Sequence, residues 1–160
     1  MTPVLIMLVE DNDDHAELIT DALNNTIVAN RVLRFVNAES ALEYLLGKET
    51  LTSPQDYPLP GVVLLDLKLP GMDGFQMLRK IRSQDRTRRL PVVILTTSKR
   101  EDEIARGYEL GANSYIVKPV KFEEFRAKII DLKMYWVLTS ELPQSTNDAV
   151  KGSVGNNLPK

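Results

Sequence analysis

Five short apolar runs alternate with amphipathic segments along this chain, and this alternation restricts its fold more than any other feature. The first, third and fourth runs are almost continuously apolar, as in strands that are covered on both faces, so these three are predicted to be the central strands. The segments between the runs repeat apolar residues at helical spacing. The pattern predicts an α/β fold, a single domain with a doubly wound, five-stranded parallel sheet and five helices. The predicted strands are residues 4–9, 32–36, 62–66, 91–96 and 114–117.

Helix boundaries are marked by capping patterns and by glycine. Asp73 with Gln76 has the form of a capping box and predicts the start of the third helix. Ser98 with Glu101 has the same form and predicts the start of the fourth helix, which Gly111 is expected to end. The final helix is predicted over residues 121–138.

Bulk composition limits the function classes. The chain of 160 residues is predicted to form one domain over 1–138, followed by a flexible tail over 139–160 rich in Ser, Asn and Gly. The sequence assigns no role to the long polar loop at 48–61.

The absence of cysteine excludes disulfides and thiolate zinc sites. A net charge of -2 predicts no general attraction to nucleic acid or membrane, and with no signal peptide recognised we expect a cytoplasmic protein.

Polar residues follow the predicted strands where each one ends, namely Glu10, Asp11, Asp66, Thr96 and Lys118. The carboxyl ends of parallel strands form one edge of the sheet, where doubly wound folds bind ligands. Three carboxylates held close together repel one another unless a cation joins them, and an all-oxygen set favours Mg²⁺. The hydroxyl and the ammonium are donors suited to phosphoryl oxygens, so Asp66 is a candidate nucleophile that forms an acyl phosphate.

With these residues in this order, the sequence resembles the receiver domain of two-component response regulators, the CheY-like member of the flavodoxin-like folds. The resemblance covers about residues 4–130. Its further motifs are the segment 70–74, Tyr115 and the pair Lys118–Pro119. The pair Glu10–Asp11 differs from the family's more usual Asp-Asp, which leaves the implied metal site intact.

The resemblance implies a phosphoacceptor site. Asp66 is implied to accept a phosphoryl group from the phosphohistidine of a partner sensor histidine kinase. Mg²⁺ is implied to be held by Asp11, Asp66 and the backbone carbonyl of Lys68. Glu10 is implied to lie beside the metal, directly or through water.

The resemblance also implies a conformational switch. Thr96 is implied to move toward the phosphoryl oxygens, and Lys118 to pair with one of them. Tyr115 is implied to turn inward and report the change on the surface formed by the fourth helix, fifth strand and fifth helix. The Lys118–Pro119 bond is expected to be cis. Flanking positions implied to tune the lifetime of the phosphoryl group are Lys68 and Ser98, with Thr97 and Pro119 also beside the site.

Two features resemble a narrower group, the receiver-only response regulators of bacterial phytochromes. These are the loop at 48–61 and the last helix with Tyr135 and Trp136, and they imply a phytochrome-type kinase. Apolar residues outside the core-facing seam of that helix favour a symmetric homodimer through it. These residues are Ile130, Met134, Tyr135 and Val137.

Other functions compete with a phosphoacceptor switch. An aspartyl-nucleophile phosphohydrolase of the haloacid-dehalogenase type needs a second Asp where this chain has Lys68. A flavodoxin-like cofactor carrier would place phosphate against the acidic turn at 10–14, which would repel it. A receiver scaffold that works without phosphorylation remains an open alternative.

The basic run at 79–89 is interpreted as a solvated helix face, and His15 is given no chemical role. We therefore expect a signalling protein and not an enzyme.

Overall fold

A computed structural model describes residues 4–24, 30–47, 58–118 and 122–134, and the structural statements below concern these residues. The strands are β1 Val4–Val9, β2 Asn30–Phe35, β3 Val62–Asp66, β4 Val92–Thr96 and β5 Ser114–Val117. The helices are α1 Asp13–Asn24, α2 Ala38–Leu46, α3 Gly74–Ser83, α4 Glu101–Glu109 and α5 Phe122–Met134.

The five strands form one parallel sheet with the order β2-β1-β3-β4-β5, which confirms the predicted fold and its central strands. The winding direction changes between β1 and β3, where Val9 is paired with Leu65. The residues that follow this pair in the two strands are Glu10 and Asp66. The topology therefore puts two carboxylates side by side at the switch point, where such sheets bind ligands.

Each face of the sheet has its own apolar core, as continuous apolar strands require. One core packs side chains of β1, β3 and β4 against α2 and α3, with Leu42, Leu45 and Met77 among its buried members. The other core packs the opposite sides of the same strands against α1 through Ile19 and Leu23. Full burial of each such side chain contributes about 1.5–3 kcal/mol. The two cores pack against both faces of β1, β3 and β4 and so position the edge that the strand ends form.

The capping box predicted at the start of α3 is confirmed, because the side chains of Asp73 and Gln76 each accept from the other residue's backbone N–H. The capping box predicted at Ser98 is wrong. Arg100 occupies the N-cap position of α4 without a side-chain cap, and Ser98 Oγ accepts from Arg100 N at 3.3 Å. Ser98 N donates to Thr96 Oγ1, and Ser98 lies two residues before the N-cap, outside the position from which a capping box forms.

The bounds of β2 differ from the sequence-based prediction. β2 begins at Asn30 and ends at Phe35, whose carbonyl accepts from Glu10 N, while Val36 is half exposed beyond it. α5 is described to Met134 only. The predicted end of that helix at residue 138, the tail 139–160, loop residues 48–57 and the Lys118–Pro119 bond lie outside the described residues. Within the described part, no helix is both long and apolar enough to cross a membrane.

Candidate functional site

The carboxyl ends of β1, β3 and β5 bring Glu10, Asp66 and Lys118 into one cluster. These side chains are almost fully buried, with residue exposures of 1%, 8% and 9%. The Lys118 ammonium donates to Glu10 Oε1 and to Asp66 Oδ2, the latter at 3.2 Å. Burial in ion-paired, hydrogen-bonded form is how a protein tolerates charges that packing alone would exclude. The juxtaposition of these residues, expected from the sequence, is present in the structure.

Glu10, Asp11 and Asp66 form the acidic part of the cluster. Each offers a carboxylate oxygen, and these three atoms lie within 4.8 Å of one another. Burial, followed by the hydrogen bond and charge of Asp66, raises the pKa of Glu10 to about 7, while Lys118 acts to lower it. A set of hard oxygen donors whose mutual repulsion is relieved by positive charge fits a divalent cation of the Mg²⁺ or Mn²⁺ type. The residues present are therefore able to hold a metal ion.

The turn after β3 is folded tightly against Asp66. Lys68 N donates to Asp66 Oδ1 at 3.2 Å, and Gly74 N donates to the carbonyl of Leu67 at 2.9 Å. A Cβ atom at position 74 would overlap the carbonyl oxygen of Asp66 and approach Leu67 Cα to 2.8 Å. Only glycine lets α3 begin this close to the strand end. Gly74 thereby fixes the backbone that presents Asp66 and the carbonyl of Lys68.

A contact from α2 supports the same turn. Met72 N donates to Glu39 Oε1 at 2.8 Å, and this hydrogen bond is the main cause that lowers the pKa of Glu39. Gly71 beside it has a φ of 74°, in the left-handed region that favours glycine. The Glu39 side chain therefore stabilises the turn after β3 from the neighbouring helix α2.

Thr96, Ser98 and Tyr115 form a connected path away from the acidic cluster. Thr96 is completely buried at the end of β4, and its Oγ1 accepts from Ser98 N at 3.3 Å. The Tyr115 hydroxyl donates to the carbonyl of Ser98 at 3.3 Å, and burial is the main cause that raises the pKa of Tyr115. Thr97 is exposed, and Lys118 N donates to the carbonyl of Thr96. A movement at Thr96 would reach Tyr115 through one intervening residue.

Two basic residues at the site were missed by sequence reasoning. Arg34 of β2 donates from Nε and Nη2 to the carbonyl of Glu10 at 3.1 and 3.0 Å, and pairs with Asp13 Oδ1 at 2.8 Å. His15, to which the sequence assigned no chemical role, has Nδ1 at 3.2 Å from Lys118 Nζ and 3.6 Å from Glu10 Oε1. The available signals were a charged residue in a strand next to β1 and a histidine in the first turn after the acidic pair.

A profile of the response regulator receiver domain matches residues 6–130 of the chain. This protein belongs to the response regulator receiver domain family. The receiver family consists of phosphoacceptor signalling domains and not of classical enzymes, so the predicted family and general function are confirmed.

Individual relatives agree with this assignment. The probable methanogenesis regulatory protein FilR2 of Methanothrix harundinacea is 39% identical over 84% of each chain. The response regulator Rcp1 of Synechocystis is 30% identical over 88% of this chain and 94% of its own, and its Mn²⁺-bound crystal structure superposes with a TM-score of 0.80 over 89% of this chain and 100% of that one. The structure of the phosphorylated cyanobacterial phytochrome response regulator RcpA, 34% identical, superposes with a TM-score of 0.82 over the same shares.

Proposed function

We propose that this receiver accepts a phosphoryl group on Asp66 from the phosphohistidine of a sensor histidine kinase, in a reaction that requires Mg²⁺. The observation that carries the proposal is the position of Asp66, which has a buried ammonium on one oxygen and two further carboxylates close by. An aspartate in this setting has a donor ready for an incoming phosphoryl oxygen. It also has the partners that bind a cation.

In the proposed reaction an Asp66 carboxylate oxygen forms a bond to phosphorus as the bond from phosphorus to the kinase imidazole nitrogen breaks. Lys118 is close enough to Asp66 to donate to one of the phosphoryl oxygens as they arrive. Asp11, Asp66 and the carbonyl of Lys68 would hold Mg²⁺, with Glu10 beside it directly or through water. Bound Mg²⁺ would neutralise charge on the transferred group, which is the main requirement of phosphoryl transfer.

The switch that follows is proposed to run along the path from Thr96 to Tyr115. The phosphoryl group brings about -1.5 to -2 charge and three acceptor oxygens. Thr96 would turn its hydroxyl toward one of these oxygens and give up the hydrogen bond from Ser98 N. The Tyr115 hydroxyl is hydrogen-bonded to the carbonyl of Ser98, so a movement of Ser98 would let the Tyr115 ring turn inward. The inward turn would change the surface of α4, β5 and α5. Signalling would proceed through protein contacts on that surface.

The partner is proposed to be a phytochrome-type histidine kinase, since RcpA is a phytochrome response regulator and matches most of this chain. Neither nucleic acid nor membrane is a proposed partner, and the proposed location is the cytoplasm. A symmetric homodimer through the last helix is proposed from its four apolar residues outside the core-facing seam, and of these four only Ile130 has a described side chain. Light scattering should then give twice the 18.0 kDa chain mass at micromolar concentration, and the mass of one chain would refute the dimer.

Incubation with acetyl phosphate and Mg²⁺, followed by intact-protein mass spectrometry, tests the proposal. The expected product carries one phosphoryl group, which EDTA prevents and alkali removes. Asp66→Asn should abolish the label, whereas Asp85→Asn, at an exposed aspartate outside the site, should leave it unchanged. Stoichiometric labelling of Asp66→Asn would overturn the assignment.

A further inference from the structure

His15 occupies the first turn of α1 and is held there by its own backbone. Its N–H donates to Asn12 Oδ1 at 3.0 Å, so Asn12 acts as the N-cap of this helix. The side chain of His15 is 43% exposed. One edge of the imidazole therefore contacts solvent, while Nδ1 is directed at the buried cluster.

The Lys118 ammonium has three N–H donors, and three acceptors surround it. They are Glu10 Oε1, Asp66 Oδ2 at 3.2 Å and His15 Nδ1 at 3.2 Å. Each donor thus has one partner, as a side chain with only 6% exposure requires. An ammonium only donates, so a hydrogen bond in this contact has His15 Nδ1 as its acceptor.

The three acceptors have different roles in the proposed reaction. Asp66 would form a new bond to phosphorus, and Glu10 would turn part of its charge toward a cation. Both carboxylates would therefore weaken their hold on Lys118 at the moment when its ammonium must be placed accurately. His15 takes part in neither change, and its backbone is held by α1 and by the hydrogen bond to Asn12.

We propose that His15 is a positioning residue, which keeps the Lys118 ammonium directed at Asp66 while Glu10 and Asp66 change partners. The inference rests on the proposed phosphoacceptor function and assigns His15 a role within it. Without the Nδ1 acceptor, the third donor of the Lys118 ammonium loses its partner. Phosphoryl transfer then starts from a less ordered ammonium.

A pair of isosteric substitutions separates hydrogen bonding from packing. His15→Asn keeps an acceptor oxygen near the position of Nδ1, whereas His15→Leu has the same branched shape without an acceptor. At saturating acetyl phosphate and Mg²⁺, His15→Leu should be labelled about three- to tenfold more slowly, the effect of losing one hydrogen bond. The donor concentration that gives half the maximal rate should stay the same. His15→Asn should restore the rate to within about twofold of the wild type.

A second measurement needs no phosphoryl donor. In metal-free protein at low temperature, the Lys118 ammonium protons should give a slowly exchanging ¹H–¹⁵N NMR signal, lost in His15→Leu and retained in His15→Asn. Glu17→Leu, at an exposed position of the same helix, should change neither the signal nor the labelling rate.

Equal behaviour of the Asn and Leu variants, or a wild-type rate and signal in His15→Leu, would overturn the role of His15. Failure of the wild type to be labelled would instead refute the proposed function. The NMR comparison would still show whether His15 positions Lys118.

Discussion

Glu10 is buried almost completely, although its carboxylate shares a small space with those of Asp11 and Asp66. Removal from water and the neighbouring Asp66 both disfavour its charged form, and Lys118 compensates only in part. The result is a residue whose protonation responds to whatever positive charge the site contains. The three carboxylates of the site therefore carry more negative charge than the Lys118 ammonium alone can neutralise.

The raised pKa of Glu10 predicts a pH-dependent stability in the metal-free protein. The pKa of Glu10 is about 7 in the folded protein against an ordinary value of 4.5, so the stabilisation from the bound proton is complete below about pH 4.5 and is lost as the pH rises through about 7. In EDTA, urea unfolding of the wild type should show a free energy that falls between about pH 5 and pH 8, by at most about 3 kcal/mol.

Glu10→Gln should remove this dependence, because the amide does not titrate, and Mg²⁺ should reduce it in the wild type. Glu17→Gln, at an exposed position on α1, should retain the wild-type profile. Parallel profiles for the wild type and Glu10→Gln would contradict the assignment of the raised pKa.

Gly74 offers a test of how closely α3 must approach Asp66. Gly74→Ala should lower the free energy of unfolding by about 2–4 kcal/mol, since the added methyl meets backbone that cannot move away. Gly107→Ala is the matched control, because its methyl would meet side chains rather than backbone: the end of Ile94 at 2.8 Å and the Tyr115 ring at an ordinary contact distance of 3.5 Å. That substitution should change stability by less than about 1 kcal/mol in urea unfolding. Equal losses in the two variants would contradict this account.

The candidate site shows which residues a sequence can predict. Glu10, Asp66, Thr96 and Lys118 were found because each ends or follows an apolar run, and strand ends of a parallel sheet share one edge. Arg34, Glu39 and His15 were not found, although each contacts the site. Their contacts depend on strand register and on which way a helix faces, and neither property has a local signature in the chain.

At the scale of single elements, α3 is fastened at both ends. The Asp73–Gln76 capping box fixes its start, and Arg82 fixes its last turn. The Arg82 guanidinium donates to the carbonyls of Arg88, Leu90 and Gly111 and to Asn113 Oδ1, and partial burial lowers its pKa. One side chain thereby joins α3, the turn after it and the loop before β5.

Removing this guanidinium should weaken the whole C-terminal half of the sheet. Arg82→Ala leaves several partly buried carbonyls without donors and should lower the free energy of unfolding by about 2–4 kcal/mol in urea. Arg79→Ala, which changes an exposed arginine on the same helix, should cost less than about 0.5 kcal/mol. Labelling of Asp66 should persist in both variants under native conditions. If Arg82→Ala lowered the free energy of unfolding no more than Arg79→Ala, the hydrogen bonds of the Arg82 guanidinium would not be stabilising.

The two capping patterns show why similar local signals give different results. Asp73 is free to cap α3 because it lies on the turn and has no competing partner in the site. Ser98 stands at the same spacing from Glu101, but its N–H donates to Thr96 Oγ1 and its carbonyl accepts from the Tyr115 hydroxyl. These contacts hold Ser98 in the loop after β4, and Arg100, two residues later, occupies the N-cap of α4.

At the scale of the whole molecule, the three central strands of the sheet were predicted from their continuous apolar runs. Strands covered on both faces must be central, and the right-handed parallel connections then leave few arrangements. The same order places the change of winding between β1 and β3 and so brings Glu10 beside Asp66. Fold and site are thus consequences of one topology.

Borohydride reduction of the phosphorylated protein tests the central claim most directly. An acyl phosphate on an aspartate is reduced to homoserine, and peptide mass spectrometry then identifies the position that carried it. The account predicts homoserine at position 66 in the wild type after treatment with acetyl phosphate and Mg²⁺, and none in Asp66→Asn. Homoserine at another position with an unmodified Asp66, or a label that borohydride leaves intact, would contradict it.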